Sequence, residues 1–379
     1  MAAYALFGKT LLGSSLVPAS VMVEDRVITG IERGFRVSSS DLAVEEVAII
    51  APGFIDLQVN GGFGCRVEEG LQALETLSRC LPSTGVTSFL PTVISSAPET
   101  YRQLCSLPMP ASAFSGARPL GWHLEGPLLS PQRAGAHRTT FMVDGSDPLL
   151  LELACSGTLC MMTVAPEMEG ATGIIRYLCE RGIIVSLGHT GASFEEFIGG
   201  GDAGATMVTH LFNAMSPFLP REPSATAAAL LDDRLCASLI ADGVHSHPAA
   251  LELALRTKGA DRIALVTDMV SAAGVPDGSY GLGDQQVIRH GNSVRTPDGT
   301  LGGSVLLMDQ AVRTMTGRTR ASTADALRMA SEVPAGVLGL AKKGQIRTGF
   351  DADLVLLDGN HRITGTIVAG ERVYSAPGP

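Results

Sequence analysis

The chain has 379 residues, which is enough for a barrel of about 250 residues together with a smaller module. Hydrophobic residues make up 45% and charged residues 17%, so we expect a large buried core and exclude wholesale disorder. The net charge of −10 and the lack of a basic patch argue against nucleic acid as the main partner, although a local Arg or His can still bind an anionic substrate.

The two ends of the chain predict one small β-sandwich-like domain. Residues 1–48 contain short apolar segments separated by turn residues, and residues 345–379 show a strand, a glycine turn and a strand. The apolar stretch after Lys9 is interrupted by Gly13 and Pro18, so we interpret it as strand and turn and not as a signal peptide. No run of ~18 apolar residues is present, and we therefore expect no membrane span.

Residues 49–344 alternate between strand-like and helical segments. Continuous apolar runs are typical of parallel strands that are buried on both faces. Helical patterns such as 71–81, 171–182 and 247–259 separate these runs. Eight such units predict an α/β fold, a (β/α)8 barrel of TIM type, whose active site lies at the carboxyl ends of the strands. The predicted strands are 53–60, 86–92, 119–125, 159–165, 183–189, 206–211, 237–242 and 262–268.

Four of these runs end at side chains that bind metals or transfer protons. Glu125, His189 and His210 offer one carboxylate and two imidazoles, a set that is common at catalytic zinc with one position open for water. Asp268 ends a fourth run, where a carboxylate can accept the proton of that water and pass it to a leaving nitrogen. A single His at a strand end is more often structural, but four such residues on separate strand ends favour a metal-dependent hydrolase acting on an amide.

Motifs throughout the chain resemble the N-acetylglucosamine-6-phosphate deacetylase family of the metal-dependent amidohydrolase superfamily. The specific motifs are HLEGP at 123–127 and THLFNAM at 209–215, whereas GFDADLVLLD at 349–358 indicates only the superfamily. The resemblance implies hydrolysis of N-acetyl-D-glucosamine 6-phosphate to glucosamine 6-phosphate and acetate. Deacetylation of the N-acetylgalactosamine epimer stays open as an alternative. A non-catalytic amidohydrolase-like scaffold is a remote one, because the metal-binding set is intact.

The resemblance also assigns roles to individual residues. It implies that Glu125, His189 and His210 bind the metal and that Asp268 is the catalytic acid and base. It further implies a homodimer in which one subunit lends a phosphate-contacting residue, Arg221 or His245, to the other. The substrate-binding residues that it implies are Ala136, His137, Asn213, Ala214, Arg221, His245, Leu301, Gly302 and Gly303.

The first barrel strand departs from many amidohydrolases, which carry two His residues there. Gln58 and Asn60 occupy these positions, and neutral amides are poor zinc ligands, so the sequence predicts one divalent metal ion, with zinc favoured, and a supporting role for the two amides. Asp56 shares their alternation and is a candidate support residue. His123 lies two residues before Glu125 and either supports the ligand or packs in the core. The seven scattered Cys residues, without a C-x-x-C pair, predict free thiols in a reducing cytoplasm.

Overall fold

A computed structural model describes residues 3–34, 36, 43–110 and 113–377. The described strands are β1 (Tyr4–Leu12), β2 (Ser15–Glu24), β3 (Val27–Arg33), β4 (Ala43–Pro52), β5 (Phe54–Val59), β6 (Gly61–Gly62), β7 (Cys65–Arg66), β8 (Val86–Ile94), β9 (Arg118–Pro119), β10 (Trp122–Glu125), β11 (Leu159–Val164), β12 (Ile184–Leu187), β13 (Met207–Val208), β14 (Cys236–Leu239), β15 (Ile263–Leu265), β16 (Gly278–Leu282), β17 (Gln285–His290), β18 (Ser293–Arg295), β19 (Leu354–Leu357), β20 (Ile363–Val368) and β21 (Glu371–Ser375). The described α-helices are α1 (Leu71–Cys80), α2 (Pro98–Cys105), α3 (Pro148–Ala154), α4 (Ala171–Cys179), α5 (Phe194–Asp202), α6 (Ala225–Leu231), α7 (Pro248–Lys258), α8 (Met308–Arg318), α9 (Thr323–Ala330) and α10 (Glu332–Val337).

The two ends of the chain form one mixed sheet of seven strands, in the order β21-β20-β19-β4-β1-β2-β3. Strands from the two ends meet where β19 pairs antiparallel with β4, with Leu354 opposite Pro52. Residues on one face of this sheet, including Leu6, Ile50 and Leu356, form a hydrophobic cluster of their own. A small β domain built from both ends of the chain is therefore confirmed.

Eight parallel strands form the barrel that was predicted for the middle of the chain. They follow the order β15-β14-β13-β12-β11-β10-β8-β5, and every residue of β5 and β8 is buried. The segment after β15 closes the ring against β5: the Asp268 N–H donates to the Gln58 carbonyl at 3.0 Å, and the Asn60 N–H donates to the Met269 carbonyl at 2.9 Å. The continuous apolar runs thus folded as barrel strands because both of their faces are covered.

The helices agree with the sequence pattern, with shorter ends. The predicted segments 71–81, 171–182 and 247–259 contain α1, α4 and α7. No helix in the described part of the chain is long and apolar enough to cross a membrane.

A three-stranded antiparallel sheet, β16-β17-β18, lies beyond β15 and was not predicted. It contacts the loops at the carboxyl ends of the barrel strands. The Gln285 side-chain amide donates to the Ala136 carbonyl at 2.7 Å, and the Arg66 guanidinium donates to the Gly283 carbonyl at 2.6 Å. This small sheet therefore forms one wall over the mouth of the barrel.

Candidate active site

Three of the predicted residues leave the barrel strands through an unusual backbone conformation. His189, His210 and Asp268 have φ angles of +47°, +29° and +50°, in the left-handed region that residues other than glycine rarely adopt. Each follows shortly after the last residue of its strand, β12, β13 or β15. This backbone conformation directs the three side chains into one space. Strained residues that the surrounding fold holds in place are concentrated at functional sites.

The ligand atoms of Glu125, His189 and His210 converge on one point. One ligand atom from each residue lies within 4.8 Å of the others, and all three residues are buried. Glu125 Oε1 lies 2.8 Å from His210 Nε2 and 3.2 Å from His189 Nε2, and the two Nε2 atoms are 3.1 Å apart. Two ligands at about 2.0–2.1 Å from a tetrahedral zinc ion lie about 3.3 Å from each other, so these separations fit one ion.

The protonation of His189 also fits a metal ligand. Its Nδ1 lies 2.9 Å from the Arg133 carbonyl, which can only accept, so Nδ1 carries the proton and Nε2 presents a lone pair. This lone pair faces a second imidazole nitrogen and a carboxylate oxygen, an arrangement that a cation stabilises. A backbone carbonyl that fixes the tautomer of a His ligand is common at metal sites.

The contacts within the cluster favour a negatively charged Glu125 and a proton on His210. Burial raises the pKa of Glu125, but the contacts with His137, His189 and His210 outweigh burial and hold this pKa well below its usual value. Burial lowers the pKa of His210, but its contact with Glu125 outweighs this and raises it. A proton and a metal ion therefore compete for the same site, and metal binding releases the proton.

Asp268 lies beside this cluster and accepts hydrogen bonds from two amides. Its Oδ1 is 2.7 Å from Asn60 Nδ2 and 3.1 Å from Gln58 Nε2, and the same Gln58 nitrogen lies 3.0 Å from Glu125 Oε1. Burial raises the pKa of Asp268 to about 6, and the charge of Glu125 contributes to the rise. The carboxyl group is thus ionised at neutral pH, and its pKa lies close enough to neutral pH for it to accept a proton during a reaction.

The cluster forms the floor of a cavity of about 490 Å³ that contains most of the predicted substrate-binding residues. His137 lies beside the metal-binding cluster. Its Nε2 is 3.6 Å from Glu125 Oε2, and its Nδ1 accepts from the Ser95 N–H at 3.1 Å. His245 Nδ1 lies 2.7 Å from Asp242 Oδ2. The predicted residues that line the cavity are Asn60, Glu125, Ala136, His137, His189, His210, Asn213, Ala214, His245, Asp268, Leu301 and Gly303.

Comparison with known proteins shows the family to which the chain belongs. Residues 49–373 match the model of the Amidohydrolase family. The chain belongs to the amidohydrolase family. Within this metal-dependent family it belongs with the N-acetylglucosamine-6-phosphate deacetylases, which confirms the resemblance in sequence.

Individual relatives of this amidohydrolase cover most of its length. The N-acetylglucosamine-6-phosphate deacetylase of Bacillus subtilis is 36% identical over 345 residues, which cover 89% of this chain and 87% of the relative. The human enzyme of the same name is 39% identical, over 86% of this chain and 84% of its own. A solved structure of a mutant N-acetyl-D-glucosamine-6-phosphate deacetylase from Mycobacterium smegmatis, in complex with N-acetyl-D-glucosamine-6-phosphate, superposes with a TM-score of 0.93 at 31% identity, covering 99% of this chain and 100% of the other.

Two predicted substrate residues of the amidohydrolase lie elsewhere. Arg221 is exposed on the loop between His210 and α6, and it is not among the residues that line the cavity. Gly302 is buried, and a Cβ on it would lie 2.8 Å from Val287 Cγ1, so it packs against β17. Their contact with substrate stays a prediction.

Several residues of the site escaped prediction. Ser95, Asp242 and the Arg133 carbonyl hold His137, His245 and His189 in place, and Arg295 of β18 lines the cavity. Of these, only Asp242 offered a signal in the sequence, because it lies three residues before His245. A backbone carbonyl has no sequence signature.

Proposed function

We propose that this amidohydrolase hydrolyses the acetamide of N-acetyl-D-glucosamine 6-phosphate to glucosamine 6-phosphate and acetate. The convergence of Glu125, His189 and His210 beside Asp268, at the floor of one cavity, is the observation that carries the proposal. Relatives of that name at 36% and 39% identity over most of the chain support this substrate.

We infer that the site takes one divalent metal ion, with zinc favoured by two imidazole nitrogens and one carboxylate oxygen. Such an ion lowers the pKa of water and polarises a carbonyl group. A second ion is disfavoured because Gln58 and Asn60 present amide N–H groups to Glu125 and Asp268 where a binuclear centre would need lone pairs.

The protein side chains move the protons of this reaction. Asp268 takes a proton from the attacking water, and its raised pKa of about 6 suits a group that then returns this proton to the amine as the C–N bond breaks. The amides of Gln58 and Asn60 hold the carboxylate in place throughout. Burial lowers the pKa of His137 to about 4, so it enters the reaction as a neutral imidazole that orients the acetamide.

The remaining cavity offers polar groups to the sugar phosphate. Asn213, Ala214 and His245 lie on the loops after β13 and β14, and Leu301 and Gly303 lie on the loop between β18 and α8. The contact between His245 Nδ1 and Asp242 Oδ2 at 2.7 Å fixes the imidazole ring, which leaves Nε2 for the substrate. We infer that these residues bind the hydroxyl groups and the phosphate.

We further infer a homodimer. An apolar groove lies between α6 and the loop that carries Arg221, and its lining includes Phe218, Leu231 and Leu253, which are 60%, 65% and 49% exposed. Exposed apolar surface of this kind is typical of an interface between subunits. We infer that the exposed Arg221 of one subunit contributes to the cavity of the other, since a guanidinium binds phosphate well.

The reducing cytoplasm remains the proposed location. All seven Cys residues are free thiols in the structure, which agrees with a compartment where disulfides do not persist.

Acetate release from both sugar phosphate epimers tests the proposed function. The purified protein is assayed with N-acetylglucosamine 6-phosphate and N-acetylgalactosamine 6-phosphate, before and after treatment with a chelator. We expect faster turnover of the glucosamine substrate, and we expect both activities to be lost when the chelator removes the metal. Faster turnover of the galactosamine epimer would overturn the assignment of the sugar, and turnover of neither would overturn the proposed reaction.

A further inference from the structure

Beneath the metal-binding cluster lies a buried row of polar side chains that the proposed reaction does not use. His123 Nε2 lies 2.8 Å from Thr163 Oγ1, Thr163 Oγ1 lies 2.8 Å from Thr209 Oγ1, and Thr209 Oγ1 lies 2.6 Å from Ser186 Oγ. The four residues are at most 2% exposed. They come from four neighbouring barrel strands or their ends: β10, β11, β12 and the end of β13.

The protons of this row can be assigned from its end at His123. His123 Nδ1 lies 3.0 Å from the Leu57 carbonyl, which can only accept, so Nδ1 carries the proton. The ring is buried with a carbonyl and two hydroxyl groups as its hydrogen-bond partners, which favours neutral imidazole, and Nε2 is then an acceptor.

The direction of every following hydrogen bond is then determined. Thr163 must donate its single hydroxyl proton to His123, so it accepts from Thr209. Thr209 has then used its own proton and accepts from Ser186. The row is therefore one directed chain from Ser186 to the Leu57 carbonyl on β5. Hydrogen bonds that are aligned in this way polarise and strengthen one another.

This hydrogen-bond chain adjoins the backbone next to each metal ligand. Thr209 immediately precedes His210, and Thr163 is the strand partner of Glu125. Gly188, which precedes His189, packs directly on the row: a Cβ on Gly188 would lie 2.7 Å from Thr209 Cβ and 3.1 Å from Thr163 Cγ2. The row thus supports the points at which His189 and His210 turn into their left-handed conformations.

We propose that His123, Thr163, Thr209 and Ser186 are positioning residues whose directed hydrogen-bond chain holds the three metal ligands at their binding distances. The inference rests on the metal site of the proposed function. It adds that metal affinity depends on hydroxyl groups that never touch the ion.

Thr163→Val tests the chain, because valine has nearly the shape of threonine but cannot donate to His123. Thr163→Ser is the matched control, since it keeps the hydroxyl group. The affinity for Zn²⁺ is measured by competition with a chelating dye, the visible spectrum of the Co²⁺-loaded protein reports ligand geometry, and urea unfolding with chelator reports the metal-free fold. We expect Thr163→Val to weaken Zn²⁺ binding about 10-fold, the low end of the range for residues that support ligands, and to alter the Co²⁺ spectrum. Thr163→Ser should stay within about 3-fold of the wild type.

Three results would overturn the proposal while leaving the proposed function intact: wild-type Zn²⁺ affinity in Thr163→Val, equal losses in the valine and serine variants, or a loss fully accounted for by unfolding of the metal-free protein. Failure of the wild-type protein itself to bind Zn²⁺ would instead refute the metal site, and this inference with it.

The Ser186 end of the hydrogen-bond chain provides a second test if Thr163→Val does not fold. Ser186→Ala removes only the first donor, and we expect it to weaken Zn²⁺ binding by less than the break at Thr163. When both variants fold, the double variant should lose less affinity than the product of the two single losses, because the hydrogen bonds are coupled. Unchanged affinity in Ser186→Ala, or independent losses in the double variant, would contradict a continuous chain.

Discussion

Replacing Asp56 with asparagine should change how the stability of the metal-free protein depends on pH. Asp56 is fully buried beside the closing seam of the barrel, where it accepts from the Thr267 hydroxyl at 2.6 Å and from the Gln58 N–H at 3.2 Å. Burial raises its pKa from 3.8 to about 7. Between these values the folded protein keeps a proton that the unfolded chain has released, so this group stabilises the fold at low pH and loses that contribution as the pH rises toward 7.

The size of this effect follows from the shift. The difference between 3.8 and about 7 is about 3 pKa units, and each unit corresponds to ~1.4 kcal/mol. The contribution of Asp56 to the free energy of unfolding should therefore fall by roughly 4 kcal/mol between pH 4 and pH 8. An asparagine at this position would not ionise, although its amide oxygen can still accept from the backbone N–H groups. Relative to the wild type, Asp56→Asn should thus gain stability as the pH rises, in addition to a constant offset.

Urea unfolding with chelator present, from pH 4.5 to pH 8, measures this difference. Titrating groups that both proteins share and that do not interact with Asp56 cancel in the comparison. Asp233→Asn is the control, because Asp233 is 72% exposed in its contact with Arg262 and should change stability by less than about 1 kcal/mol at any pH. A wild-type-minus-variant difference that stays constant within about 1 kcal/mol across the range would refute the account of a protonated, buried Asp56.

Three further substitutions test the proposed roles in catalysis and binding. Asp268→Asn should keep the metal but lower kcat by roughly 10²- to 10⁴-fold in an acetate-release assay, and full activity would remove Asp268 from the reaction. Glu125→Gln replaces the carboxylate by a neutral amide and should weaken Zn²⁺ binding at least about 10-fold in a chelator competition, so wild-type affinity would exclude Glu125 as a ligand. Arg221→Gln should raise KM for the sugar phosphate by roughly 10-fold, as expected for the loss of a charge-assisted hydrogen bond, and should leave turnover of unphosphorylated N-acetylglucosamine unchanged. An equal effect on both substrates would contradict phosphate binding by Arg221.

The barrel could be predicted because its strands are buried on both faces and therefore appear as continuous apolar runs. The predicted ends were less accurate where they carry function. The run 206–211 contains only β13, Met207–Val208, because the chain leaves the ladder before His210 reaches its left-handed conformation. An apolar run shows where a strand lies, but it does not show where a metal-binding residue turns the backbone.

The wall formed by β16, β17 and β18 could not be predicted in the same way. Its strands are partly exposed, and β17 has polar residues such as Gln285 and Arg289 among its apolar ones, so no continuous apolar run marks it. The residues that orient the site were equally hidden. Ser95 holds His137 only because the fold brings β8 beside the loop that carries His137, a contact between residues 42 positions apart.

The hydrogen-bond chain from Ser186 to the Leu57 carbonyl could not be predicted from the sequence either. The sequence left His123 open between support and packing, since its position two residues before Glu125 fits either role. The structure supplies the hydrogen-bond partners of His123 from residues 31 to 66 positions away. Tertiary contacts of this kind decide the protonation state of a buried His, and a single sequence does not contain them.

Acetate release from N-acetylglucosamine 6-phosphate by the metal-free protein, titrated with Zn²⁺, tests the central claim most directly. If Glu125, His189 and His210 hold a single catalytic ion, the chelated protein should be inactive and its rate should rise linearly until one ion is bound per chain. Full activity in protein shown to contain no metal, or a rate that rises only beyond one ion per chain, would contradict it.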